Sequence, residues 1–209
     1  MEMELAKVGL GEDERLSFFP AVKIPDSGPF ARPGSHGCFI SHRRILEDAA
    51  RDQVSVLILQ DDCQFLPAIF DYKPGDSDIF YGGYVAEDWE DLQNSNIIGA
   101  HFMGFSAKAA TKAASYLSRY LRDPDFECDE RAVSEPSYNP KIRPSIDGAL
   151  VWFRRANPDL RTEFAMLSTQ RRSRSDVGTN PWFDRIPILR QAAQALRDVM
   201  PTRDGPYRA

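Results

Sequence analysis

The sequence predicts an α/β fold, a mostly parallel sheet with helices on its faces. Three observations carry that prediction. Val54-Ser55-Val56-Leu57-Ile58-Leu59 is an apolar run too short for a typical helix and without polar alternation, as expected of a fully buried strand in a parallel sheet. Short strand-like runs alternate with stretches of helical spacing. No internal repeat and no linker divides the 209 residues, which read as one domain over 1–200 with a loose tail at 201–209.

Taken in order, residues 1–10 read as an amphipathic helix with Met3, Leu5, Ala6 and Val8 inward and Gly9 as its C-cap. Phe18-Phe19-Pro20-Ala21-Val22 reads as a short strand, and residues 25–37, with three Pro and three Gly, as a loop. Ser41 is the expected cap of a helix running to Arg51, with Ile45, Leu46, Ala49 and Ala50 on its buried face. After the central strand, Asp78 to Gly83 reads as another strand ending in a glycine turn, and Asn96 to Phe105 as extended. Ser106 caps a helix to Arg122, since Ala109, Ala113, Tyr116, Leu117, Tyr120 and Leu121 recur at helical spacing. Residues 123–146 are acidic, Pro-rich and aperiodic, so a long surface loop is expected. Asp147 caps or precedes the apolar run Ala149 to Phe153, and Pro187 opens a last helix with Leu189, Ala192, Ala193, Leu196 and Val199 inward.

Composition narrows the function. A net charge of −5 argues against general nucleic-acid binding. No apolar run reaches the ~18 residues of a membrane span. Cys38, Cys63 and Cys128 are odd in number and form no CxxC pair, so they read as reduced thiols. With an acidic Met1-Glu2-Met3-Glu4 start unlike a signal peptide, the expected location is the cytoplasm.

The central run ends in Gln60-Asp61-Asp62. Open α/β sheets bind ligands outside the carboxyl ends of such strands. Neighbouring side chains of an extended segment point to opposite sides, so one carboxylate can face a ligand while the other turns to the scaffold.

Gly37-Cys38-Phe39-Ile40-Ser41-His42, a helix, and then Leu57-Ile58-Leu59-Gln60-Asp61-Asp62 together resemble glycosyltransferase family 25. These are the lipopolysaccharide-type glycosyltransferases, a family that includes the procollagen galactosyltransferases. Its signature is roughly Gly-Glu-aliphatic-Gly-Cys-x-x-Ser-His, a helix, and an aliphatic strand ending Glu-Asp-Asp. Gly99 to Ser106, Ile146-Asp147 and Ser173-Arg174-Ser175-Asp176-Val177 resemble later family segments in the right order, so the likeness spans roughly residues 5–180.

The resemblance implies a GT-A-like, Rossmann-type domain that transfers a hexose from a nucleotide-sugar, UDP-galactose or UDP-glucose. The implied acceptor is a surface glycan or lipooligosaccharide at the inner face of the membrane. Such chemistry must neutralise the charge that builds on the leaving diphosphate, with a divalent metal or with Arg and Lys. It also needs a base for the acceptor hydroxyl if that hydroxyl attacks directly. The implied roles follow. Asp62 and Asp61 hold Mn²⁺ or Mg²⁺, Gln60 and His42 position the donor, Asp176 contacts it, and Asp147 is either the base or a helix cap. By their own chemistry, Arg171, Arg172 and Arg174 either grip a diphosphate or an anionic acceptor or form a solvated charge run, the commoner role of such a cluster.

Three departures are visible. Gln60 stands where the family has an acid, Ser35-His36 replaces Glu-aliphatic, and the family's opening strand with its basic turn has no counterpart. Losing that strand is expected to leave a sheet edge open, which a second copy would cover. These departures keep a second reading alive, a non-catalytic relative that binds a nucleotide or a partner protein.

Overall fold

The computed structural model describes residues 1–123, 126, 139 and 141–171, all within one compact unit, Met1–Gly178. Asp176, the expected last helix, the tail and most of the loop expected over 123–146 lie outside the described residues. The elements are α1 Glu2–Lys7, α2 Pro33–Asp52, β1 Val56–Leu59, β2 Cys63–Phe65, β3 Ile79–Tyr81, β4 Val85–Ala86, β5 Ile97–Ile98, β6 Phe102–Phe105, α3 Ala107–Arg122, α4 Ile146–Ala156, β7 Thr162–Phe164 and β8 Ser168–Gln170. Among the described residues, no helix is long and apolar enough to cross a membrane.

The α/β class holds, but the sheet is mixed. Its four strands run in the order β1-β6-β3-β7. β6 is antiparallel to both β1 and β3, and only β3 and β7 are parallel. The expectation of a mostly parallel sheet is therefore corrected for the described strands. β1 is also not buried on both faces: Ile58 is 5% exposed, yet its neighbour Leu57 is 51% exposed. The cause is position, because β1 has only β6 beside it among the described strands and stands at the sheet edge.

Strand alternation divides the packing. Ile58, Ile79, Tyr81, Met103 and Phe105 turn to one side, into the main core with the three longer helices. Phe102 turns to the other side, against Cys63 and Leu167. α2 and α3 pack together through Phe39, Leu46, Ala109, Ala113 and Leu117, all within a few per cent of full burial. Each large apolar side chain buried this way contributes about 1.5–3 kcal/mol. Tyr120 stacks on Phe39 at 5.4 Å, and its hydroxyl donates to Pro144 O at 2.9 Å, so the ring is buried without orphaning its polar atom.

Two local expectations are corrected. α2 starts at Pro33, not at Ser41. Proline at the first helical position lacks only a donor that the helix would leave unpaired anyway. Ser41 lies inside the helix, where its hydroxyl donates to Gly37 O at 2.8 Å and accepts from Val22 N at 3.0 Å. The same contacts explain why Phe18 to Val22 is no strand: a helix side chain takes up the Val22 N–H that a ladder would need. Ser106 does cap α3 as expected, accepting from Ala109 N at 3.1 Å.

Gly37 makes this approach feasible. A Cβ built on it would lie 2.3 Å from Val22 O, a backbone atom that cannot rotate away. Alanine is worth about 1 kcal/mol over glycine in a helix interior. Overpacking of this kind costs about 1–3 kcal/mol. Gly37→Ala is therefore expected to destabilise the fold in a denaturant melt. A melt at or above the wild-type midpoint would show that residues 18–24 do not pack on α2.

Candidate functional site

Residues 61 and 62 form the tight turn between β1 and β2. β1 ends on a last ladder bond, Gln60 N to His101 O at 2.9 Å. β2 then pairs with β8, Cys63 opposite Gln170. Two different ladders thus grip the two sides of the carboxylate pair.

Asp61 is exposed and Asp62 half-buried. Asp62 Oδ2 accepts from Gln170 Nε2 at 3.2 Å, while its Oδ1 is buried and has no hydrogen-bond partner. Burial raises the Asp62 carboxyl above the ordinary aspartate range, and the neighbouring Asp61 charge adds to the rise. Gln170 and Arg171 pull the other way. A partly buried carboxylate with a bare oxygen, destabilised by a second negative charge, suits a bound cation. Among the described residues, no group of three His, Cys, Asp or Glu side chains is placed to hold a metal ion. Asp61 and Asp62 would act as two hard oxygen donors, and phosphate oxygens and water would complete the shell, as is usual for Mg²⁺.

Across Gln60 lies one face of α2. His42 Nδ1 sits 2.9 Å from Cys38 O, an atom that can only accept. Its Nε2 is 3.4 Å from Gln60 Nε2, and the Gln60 amide also reaches Cys38 Sγ at 3.8 Å. The family-like Gly-Cys-x-x-Ser-His segment and the Gln-Asp-Asp turn are therefore in direct contact. The Cys38 thiol is pushed up to about 12, first by burial and then by the charges of Asp147, Asp62 and Asp61. This makes it an inert packing group rather than a nucleophile. The charges of three of the sequence-selected carboxylates thus act on this one thiol.

Asp147 lies in the first turn of α4, inside the helix and not at its N-cap position, which Ser145 occupies without a side-chain cap bond. Its Oδ1 accepts from Gly99 N at 2.9 Å and from Ala100 N at 3.0 Å. The carboxylate thus fastens the turn between β5 and β6. That turn presents Ala100 O to His42 Nε2 at 3.4 Å and carries His101.

Sequence reasoning gave His101 no role, yet it stands opposite Gln60 in the β1–β6 ladder and is 5% exposed. Its Nε2 is 3.2 Å from Ser168 Oγ, and its Nδ1 has no partner. Burial lowers its pKa, against the pull of Asp147, so the ring is neutral near pH 7. Gly83 makes room for this contact, since a Cβ there would lie 2.3 Å from Ser168 Oγ and 2.7 Å from His101 Nε2. The structure thus brings together His42, Gln60, Asp61, Asp62 and Asp147, and Asp176 lies outside the described residues. No protein-family model, curated protein or solved structure matches this chain.

Proposed function

We propose that the chain is a GT-A-type glycosyltransferase that moves a hexose from a nucleotide-sugar, UDP-galactose or UDP-glucose, to a surface-glycan or lipooligosaccharide acceptor. The observation that carries this reading is the Asp61–Asp62 turn, with its bare, buried Asp62 oxygen, in contact through Gln60 with the Cys38–His42 face of α2. A divalent Mn²⁺ or Mg²⁺ held there would neutralise charge on the donor diphosphate.

The chain's own residues have the remaining tasks. Asp62 and Asp61 present carboxylate oxygens at the turn. Gln60, neutral and hydrogen-bonded to His42, offers its amide to a ribose or sugar hydroxyl. Asp147, anchored through Oδ1, has Oδ2 for the proton of the acceptor hydroxyl. In the transfer, the acceptor oxygen bonds to the anomeric carbon as the bond from that carbon to the diphosphate oxygen breaks. The electron pair leaves with the diphosphate, and the acceptor's proton passes to the carboxylate.

A second reading, a non-catalytic nucleotide- or partner-binding protein, draws on the neutral Gln60 and on the use of Asp147 Oδ1 to hold backbone. Calorimetric titration of UDP, UDP-galactose and UDP-glucose, with and without Mn²⁺, tests the donor site. Metal-dependent binding of UDP and at least one UDP-hexose is expected. A folded protein that takes none of them under either condition would overturn the transferase reading.

A further inference from the structure

We propose that Arg171 grips the phosphates of the donor, an assignment that rests on the donor-binding reading above. The β2–β8 ladder pairs Cys63 with Gln170. The next hydrogen bond continues it, from Arg171 N to Asp62 O at 2.7 Å. The Arg171 backbone is therefore fastened to the Asp62 turn, next to Gln170, whose side chain donates to the Asp62 carboxylate at 3.2 Å.

The charge distribution agrees with this placement. The Arg171 cation lowers the Asp62 carboxyl and that of Glu4, in each case as the smallest of several influences. Glu4 is already engaged, accepting from Phe65 N at 3.2 Å and from Lys7 Nζ at 2.5 Å. Two other exposed arginines are held in close ion pairs, Arg51 with Asp48 and Arg161 with Asp76. Arg171 is exposed, and among the described residues its side chain makes no hydrogen bond and no ion pair.

An exposed guanidinium with no partner among the described residues, on the residue whose backbone bonds the Asp62 turn, is a paired arrangement for a phosphorylated ligand. The carboxylate turn suits a cation, and the planar fork, with five N–H donors, suits phosphate oxygens bidentately. A solvated surface arginine would share the exposure. It would not share the backbone hydrogen bond that fastens Arg171 to the Asp62 turn.

The test compares UDP with uridine, in Mn²⁺, on the full 209-residue chain as wild type, Arg171→Gln and Arg171→Lys. A lost charge-assisted contact corresponds to about a 10–100-fold loss in affinity. Arg171→Gln is expected to weaken UDP by that factor and to leave uridine unchanged. Arg171→Lys, which keeps a charge but loses the fork, is expected to fall between. Undiminished UDP binding by Arg171→Gln overturns the assignment. An equal loss for UDP and uridine overturns it too, since that pattern reports general damage to the pocket. If the wild type binds no UDP, the donor reading itself fails and takes this role with it.

Discussion

Asp62→Ala is expected to abolish Mn²⁺-linked binding of the donor and to lower sugar transfer by about 10²–10³-fold, the scale seen when one group that stabilises developing charge is removed. The fold should survive. Among the described residues, half-buried Asp62 gives its neighbours only the Gln170 contact and one backbone acceptor, and the latter remains in alanine. Calorimetry with and without Mn²⁺ and a transfer assay on the same preparation check both halves. Sugar transfer at the wild-type rate in Asp62→Ala would remove the metal assignment.

The same residue gives a stability test that needs no substrate. The Asp62 carboxyl is raised in the folded chain, chiefly by burial and next by Asp61. A carboxylate with a raised folded-state pKa binds its proton more tightly in the folded state than in the unfolded one. Its contribution to stability is complete below the unfolded pKa and is lost as pH rises through the folded one. At neutral pH the ionised Asp62 therefore opposes folding. Asp62→Asn, neutral at every pH, should melt at or above the wild type at pH 7, and the gain should vanish in acid as Asp62 itself protonates. A site kept at a cost in stability is what a ligand-binding carboxylate predicts.

How much of this was legible depends on distance along the chain. β1 is visible as an apolar run, and the Asp61–Asp62 turn as its end. α3 is visible because Ser106 and the apolar stripe from Ala109 to Leu121 are local signals. The start of α2 was missed because Gly34 and Gly37 beside Pro33 look like loop residues. Gly37 is inside the helix for a non-local reason, the backbone of Val22 lying against it. Phe18 to Val22 looks like a strand by composition, yet the donor at Val22 N is taken by Ser41, 19 residues away. Strand direction was the largest miss. An apolar run carries no record of its partner, and β6 runs antiparallel to β1 only once the turn at residues 99–101 has placed it. The site follows the same rule. His42 and Gln60 were found through local motifs. The contacts of His101 with Ser168 and of Gln170 with Asp62 join residues 67 and 108 positions apart, through strand pairings the sequence does not spell out.

Asp147 should separate into two functions when it is replaced in two ways. One oxygen, Oδ1, accepts both the Gly99 and the Ala100 N–H, and Ala100 is buried. Asparagine keeps a carbonyl oxygen that can accept both, and alanine keeps none. Leaving buried donors unpaired costs about 1–3 kcal/mol each. Asp147→Ala is therefore expected to lower stability by about 2–4 kcal/mol and to loosen the turn that aligns His101 with Gln60. Asp147→Asn should melt close to the wild type. If Oδ2 takes the acceptor's proton, Asp147→Asn should still lose about 10²–10⁴-fold in kcat, the usual contribution of a positioned base. Donor binding measured by calorimetry should stay near wild type in Asp147→Asn, because that variant removes a charge without moving the turn. Full turnover in Asp147→Asn beside a crippled Asp147→Ala would assign Asp147 to the scaffold alone. The base would then have to be sought among other groups near the turn, with His101 the first to test, since its Nδ1 is buried without a partner and its ring is neutral near pH 7.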